Sequence, residues 1–336
     1  MDLLNALVAF LNFVFIPATA YGAQLALGAL GVTLVYGILR FSNFAHGDTM
    51  ALGTTFVILM TWGLQGAGVS FGPLPTALLA LPFGIAVTAL FVLGTDRVVY
   101  RFYRKQKAAP SILVIVSLGV MFVMNGVTRF IIGVRDQNFA DGGRFVLSAR
   151  EFREATGLQE ALVIRTTQVV TLVTALVAMV ALFWFLNKTR TGKSMRAFSD
   201  NEDLALLSGI NPERVVAVTW IITAALATTA GVLYGLDKSF NPFTYFQLLL
   251  PIFAAAIVGG LGSPLGAIAG GFVIAFSEVM VTYAWKKVLG HALPESLAPD
   301  SLVQLMGTDY KFAVSFAILI IVLLFMPTGL FKGKTI

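Results

Sequence analysis

The sequence predicts an all-α polytopic membrane protein with about eight transmembrane helices, and as many as about ten, some broken by glycine. Three observations carry this. The 336 residues are 57% hydrophobic and only 12% charged, where soluble domains carry roughly 25% charged residues. Apolar runs repeatedly reach the roughly 20 residues that a bilayer core requires. Strands of alternating polarity, the mark of an outer-membrane barrel, are absent. Residues 1–336 read as a single transmembrane domain.

The chain has no cysteine. That excludes disulfides, thiol catalysis and cysteine metal sites. The formal charge of +6 would suggest nucleic acid in a soluble protein. Here cytoplasmic loops obeying the positive-inside rule explain it, so membrane lipid and not nucleic acid is the expected surrounding. The start of the chain lacks a basic region and a small-residue cleavage site, so no removed signal peptide is expected.

Taken in order, Leu3 to Ile16 is apolar but short and ends at Pro17. It is either a first span or an interfacial helix. Tyr21 to Leu39 is a full span. Arg40 to Asp48, RFSNFAHGD, interrupts it, and Thr49 to Trp62 resumes as helix. The uncharged, Gly-rich stretch Gly63 to Pro75 turns the chain, and Thr76 to Tyr100 is the next span. Arg97, Arg101, Arg104, Lys105 and Lys107 then cluster against one acid, Asp96, which marks the cytoplasmic side. Ser111 to Gly133 crosses outward. Residues 134–166 form an external loop with acids and bases in balance, and Thr167 to Asn187 returns. Lys188, Arg190, Lys193 and Arg196 confirm the inner side and open a cytoplasmic loop over 188–214. Val215 to Leu236 crosses outward. Phe246 to Tyr283 goes in and comes back, turning at GGLGSPLG, Gly259 to Gly266. Residues 286–310, with Pro294 and Pro299, form an irregular external loop. Phe312 to Met326 crosses inward, and Lys332 and Lys334 lie inside. Both termini are therefore expected in the cytoplasm.

The loop over 188–214 holds one polar segment that reads as a helix in its own right. Ser199 is the expected N-cap, and Glu202 three residues on completes a capping box. Asp200, Glu202 and Asp203 fill the first turn, where the helix dipole favours negative charge. Leu204 and Leu207 fall on one face, with Leu206 beside them. Gly209 stands where a left-handed C-terminal residue is wanted. Asn211 and Pro212 restart a helix as N-cap and first helical residue. A helix of about nine residues is marginal on its own in water. It needs something to dock against. It is either an ordinary surface helix or a coupling helix that hands motion from a soluble partner to the membrane.

Glycine accompanies interrupted helix in two places, Gly37 to Gly53 and Gly259 to Gly271. Such breaks at corresponding positions of two halves point to a transport pathway. Freed backbone groups must be buried in protein or line a wet cavity. Asn43, His46 and Asp48 are candidates for that lining; the plainer reading of His46 and Asp48 is a loop at the cytoplasmic edge. With two histidines far apart, no metal site is expected. Gly262, Gly266 and Gly270 stand four apart, as do Gly231 and Gly235, which suits close helix packing within the chain or against a second permease subunit. Glu278, Asn125 and Arg129 are polar residues near span ends and functional suspects. Glu278 is expected close enough to the outer interface to be solvated.

Gly192, Lys193 and Ser194 spell the end of a phosphate-binding loop, but position 187 is Asn where that motif needs Gly. No nucleotide site, catalytic residue or cofactor of its own is expected in this chain.

VYGILRFSNFAHGD (Val35 to Asp48), RAFSDNEDLALLSGINPERV (Arg196 to Val215), AAAIVGGLGSPLGAIAGG (Ala254 to Gly271) and VLLFMPTGLF resemble, in the same order, the LivH-type permeases of branched-chain amino acid ABC importers. The resemblance covers nearly the whole chain. It implies the ABC-importer permease fold in a bacterial cytoplasmic (inner) membrane. It also implies a second, LivM-like permease, two ABC ATPase subunits that hold the ATP-Mg, and a periplasmic or lipid-anchored substrate-binding protein. Ser199, Glu202, Asp203, Leu204, Ala205, Leu207, Gly209, Asn211 and Pro212 would then couple to the ATPase. Asn43, Phe44, His46, Gly47, Asp48, Gly259, Gly260 and Gly262 would be candidates for the translocation pathway. The substrates implied are branched-chain or other hydrophobic amino acids, with urea and short amides as the alternative inside the family. Asn201-Glu202-Asp203 departs from the Glu-Ala-Ala pattern of ABC importers, and Gly290 to Thr308 is longer than the family usually shows. From the residues alone, an ion-coupled secondary transporter using Asp48 and Glu278 is the competing reading.

Overall fold

The computed structural model describes residues 2–293, 299 and 301–331. Pro294, Lys332 and Lys334 lie outside the described residues. The chain runs α1 (Asp2–Phe10), a π-turn (Leu11–Phe15), α2 (Ile16–Leu39), α3 (His46–Gly66), α4 (Ala77–Thr95), a second π-turn (Asp96–Tyr100), α5 (Arg101–Lys105) and α6 (Pro110–Ile132). Then come β1 (Phe145–Leu147), α7 (Ala149–Thr156), β2 (Ile164–Arg165), α8 (Thr166–Lys188), α9 (Arg190–Asp200), α10 (Glu202–Leu207) and α11 (Pro212–Lys238). α12 (Pro242–Gly259), α13 (Pro264–Thr282), α14 (Lys286–Ala292), a 3₁₀ turn (Thr308–Tyr310) and α15 (Lys311–Phe325) complete it. Among the described residues, 8 helical stretches are long and apolar enough to cross a membrane. α3 is a further passage of 21 residues. Its threonines, His46 and Asp48 face inward and are buried, which lowers its hydropathy without making it a surface helix.

The N-terminal reading needs correction. Leu3 to Ile16 is neither a separate span nor an interfacial helix. Leu3–Leu39 is one 37-residue helical stretch. Proline cannot supply a backbone N–H and its ring crowds the carbonyl four residues back. Pro17 is accommodated because the π-turn Leu11–Phe15 loosens the ladder just before it. α1 then packs on α14. Asn5 accepts a hydrogen bond from the Glu160 amide at 3.1 Å, and Asn12 accepts one from Val163 at 3.0 Å. α1 therefore lies with the loops 134–166 and 286–310. Arg40, at the other end of α2, lies against the 188–214 segment. The expectation that both ends share one face fails: α1 starts beside residues 160–163 and α14, while Leu330 and Phe331 lie against the 259–266 turn at the opposite end of α2.

α2 is buried nearly from end to end. An apolar, Gly- and Ala-rich helix with no polar face belongs at the centre. α11, α12 and α13 surround it. The segments 134–166 and 286–310 are more ordered than expected. β1 pairs antiparallel with β2, and Ser148 and Glu151 form a true capping box at the start of α7. The stretch 286–310 is not wholly irregular, since it contains α14 and the 3₁₀ turn.

Candidate functional site

The 188–214 segment folds as two helices, not one. Thr189 caps α9 through the Gly192 amide. α9 runs on through Ser199 because Met195 and Phe198, one turn apart, are both buried. Ser199 is therefore a last-turn residue and not an N-cap, and no capping box joins it to Glu202. Asn201 takes the capping role, accepting from the Leu204 amide at 3.0 Å. α10 is correspondingly shorter, at 6 residues. Its far end matches expectation. Gly209 has φ +79°, and its amide bonds Leu206 while that of Ile210 bonds Ala205, the paired closure of a Schellman motif. Asn211 caps α11 through Arg214 at 3.3 Å, with Pro212 first. Ala205 alone of the α10 residues is buried; Leu204 is 60% and Leu207 85% exposed. Gly192 has a structural purpose unrelated to phosphate: a Cβ there would lie 2.6 Å from Leu186 Cα, so glycine lets α9 fold back on α8.

Arg40, in left-handed backbone at φ +56°, connects this segment to the interrupted stretch. Its guanidinium donates to the Ser199 carbonyl at 2.6 Å. Residues 41–45 then turn back into the protein. Asn43 Oδ1 accepts from the Ala45 amide at 3.1 Å and from the Tyr100 hydroxyl at 3.2 Å. The Phe44 amide donates to Ser117 at 3.1 Å, and its ring lies 5.2 Å from that of Phe253. His46 and Asp48 are fully buried, which overturns the reading of a loop at the cytoplasmic edge. His46 fits because Gly31 faces it: a Cβ at Gly31 would sit 2.6 Å from His46 Cε1. At Gly47 a Cβ would sit 2.7 Å from the Tyr245 carbonyl. Asp48 Oδ1 accepts from Asn125 Nδ2 at 2.7 Å, while its second oxygen has no hydrogen-bond partner among the described residues.

The second glycine-rich break is a tight turn. Gly260 and Gly262 have φ +105° and +84°. Gly259, Gly266 and Gly270 form a seam in which α12 and α13 meet backbone to backbone. Gly231 and Gly235 make room for the Tyr245 side chain, with Thr54 and Met50 also against Gly231 and Phe139 against Gly235. The glycines at 266, 270, 231 and 235 thus serve packing within the chain, whereas Gly262 faces open space and serves the turn. Leu330 and Phe331 donate to the carbonyls of Val258 and Gly259 at 2.8 and 3.0 Å, covering the turn. Gly262 and Ser199 share the lining of a cavity of about 180 Å³, with Thr33, Gly37 and Pro264. The structure therefore brings the first break, the second break and α9 together at one end of α2.

Two features escaped the sequence reading. Asp96 looked like a lone acid in a basic cluster. It is buried and accepts from Trp220 Nε1 at 2.7 Å and from both Arg104 terminal nitrogens. Tyr100 stacks on Trp220 with ring centroids 5.3 Å apart. Glu278, expected to be solvated, is 2% exposed and accepts from Ser315, which pins α15 to α13. Neither partner could be read from local spacing.

The family model for the branched-chain amino acid transport system / permease component matches residues 15–323. The chain is 32% identical to the high-affinity branched-chain amino acid transport system permease protein LivH of Escherichia coli K12, covering 92% of this chain and 91% of that one. It is 30% identical to BraD of Pseudomonas aeruginosa, described in the same words, over 92% of each. A probable LivH of Methanocaldococcus jannaschii is 32% identical over 81% of this chain and 82% of its own. A chain of PsaBC from Streptococcus pneumoniae in complex with Fab covers 95% of this chain and 94% of its own at 13% identity and TM-score 0.44, a likeness too weak to argue from. With its polytopic helical fold and a match over nearly its whole length, this multi-pass membrane protein belongs to the branched-chain amino acid permease family.

Proposed function

We propose that this chain is one permease subunit of an ATP-driven importer in the cytoplasmic membrane, carrying branched-chain or other hydrophobic amino acids. ATP hydrolysis belongs to two partner ATPases. A second permease and an external binding protein complete the machine. The observation that carries this reading is the construction of α10. It is short and capped at both ends, and it presents Leu204, Leu206 and Leu207 outward while burying Ala205. Exposed leucines on a polar cytoplasmic segment suit a protein partner. A push there passes to α9, then through Arg40 to the end of α2 and to residues 41–48. The Glu-Ala-Ala departure is tolerable on this view, because Asn201 supplies the cap that positions the exposed face.

The test is reconstitution in vesicles with the partner subunits. Leu207→Asp is expected to insert normally and abolish ATP-driven uptake. Uptake driven by an ion gradient without ATP would favour the secondary-transporter reading instead. That reading relies on Asp48 and Glu278, and both already hold hydrogen-bond partners.

A further inference from the structure

We infer that Asn125 and Arg129, backed by Asp48, form a clamp for the charged groups of a zwitterionic substrate. This rests on the importer reading and deepens it, since it separates amino acids from urea and neutral amides. Asn125 and Arg129 stand one turn apart on α6, so their side chains are neighbours. Arg129 is exposed on a helix whose other exposed residues include Phe122 at 71% and Phe130 at 92%. Its backbone carbonyl accepts from Gly133, but no ion pair or hydrogen bond to its side chain is found among the described residues. A cation on an apolar membrane face calls for an anion or a wet cavity.

The amide orientation of Asn125 follows from its partner. A carboxylate only accepts, so the NH₂ group faces Asp48 and the carbonyl oxygen of Asn125 faces away. That oxygen is free to accept from an ammonium group, with the Asp48 carboxyl behind the amide. Asp48 need not be uncovered. Its second oxygen is buried and has no hydrogen-bond partner among the described residues. The guanidinium of Arg129, one turn further on, suits a carboxylate bidentately. Gly126 lies between the two and has open space where a Cβ would be. The ammonium and carboxylate of an α-amino acid would thus meet an acceptor and a donor fork in the right order. Its apolar side chain would lie along the exposed Phe122, one turn before Asn125 on α6. Urea has neither charge and would gain nothing from the arrangement.

The experiment uses the complete reconstituted importer with leucine as the transported probe. ATP-driven uptake by the unchanged complex is the control on the importer reading: if it is absent, that reading fails and the clamp is moot with it. Given uptake, Arg129→Gln is expected to lower leucine kcat/KM at least about 10-fold, the size of a lost charge-assisted hydrogen bond. Hydrolysis stimulated by the binding protein should persist, and Arg129→Lys should recover a large part of the loss. Asn125→Asp, which sets a carboxylate against Asp48, and Asn125→Leu should both impair uptake, and Lys105→Gln, in α5 just ahead of the opposite end of α6, should not. Unchanged leucine uptake by Arg129→Gln and Asn125→Leu would overturn the clamp, and would mean that Arg129 merely reaches toward the outer headgroups.

Discussion

The Arg40 guanidinium meets the Ser199 carbonyl at 2.6 Å, so the end of α2 and the last turn of α9 are held by one side chain. Arg40 also occupies left-handed backbone, at φ +56°. Glycine accepts that conformation without penalty. Arg40→Gly therefore removes the tie while relieving strain, and the subunit should insert and unfold as before. Uptake should fall about 10-fold with ATP hydrolysis retained, a coupling loss in the usual range. Transport and hydrolysis measured on the same vesicles check this; parallel losses in both would count against a coupling role.

Asp96 should matter more for folding than its place in a basic cluster suggests. Its side chain is 10% exposed and that of its partner Arg104 is 19% exposed. Asp96→Ala leaves the Arg104 charge and the Trp220 N–H unanswered, at a cost of about 3–5 kcal/mol. Asp96→Asn keeps an acceptor for Trp220 and should recover part of that. Thermal unfolding of the purified subunit reads both.

The α12–α13 seam gives a matched pair of glycine substitutions. A Cβ at Gly270 would lie 2.9 Å from the Gly259 nitrogen and 3.0 Å from the Ala255 carbonyl carbon. Backbone cannot swing aside as a side chain can, so Gly270→Ala should cost about 1–3 kcal/mol. Gly94 is also helical but faces open space. Gly94→Ala should be neutral or stabilising by up to about 1 kcal/mol. Equal behaviour of the two variants would contradict the seam.

At the α1 end of the bundle, Glu160 receives Lys287 at 2.8 Å and His291 at 3.1 Å. Burial pushes its carboxyl up, but the hydrogen bonds and charges of Lys287 and His291 outweigh this and hold it below the usual carboxylate range. A carboxyl lowered on folding stabilises above its unfolded value and loses that contribution as pH falls through the folded one. The clasp between residues 134–166 and α14 should thus hold at neutral pH and loosen only in acid, below about pH 4. Amide exchange in 286–292 across pH, after correction for intrinsic rates, should show that loss. Glu160→Gln should already be loose at pH 7 and lack the acid transition.

The ends of α10 show where sequence suffices and where it does not. Gly209, Asn211 and Pro212 carry conformational instructions of their own, so their roles were legible. At its start two cap signals overlap. Ser199 and Asn201 are both competent caps, and the choice is made by the burial of Phe198, which pulls α9 past Ser199. The true Ser148–Glu151 box had the same signature and went unread inside a segment taken for loop. The membrane spans were legible from length and hydropathy. The side on which the first helix starts was not, because it depends on whether Pro17 ends a helix, and the preceding π-turn lets it continue. The burial of His46 and Asp48 was hidden for another reason: their partners, Gly31 and Asn125, stand 15 and 77 positions away along the chain.

The 37 residues from Leu3 to Leu39 form one helical run. At 1.5 Å per residue such a rod is about 55 Å long, well beyond a hydrocarbon slab of about 30 Å. The surplus forms a mast at the α1 end, with residues 160–163 and α14 lashed to it. The elevation of that platform above the bundle is consequently set by a helix and not by slack chain.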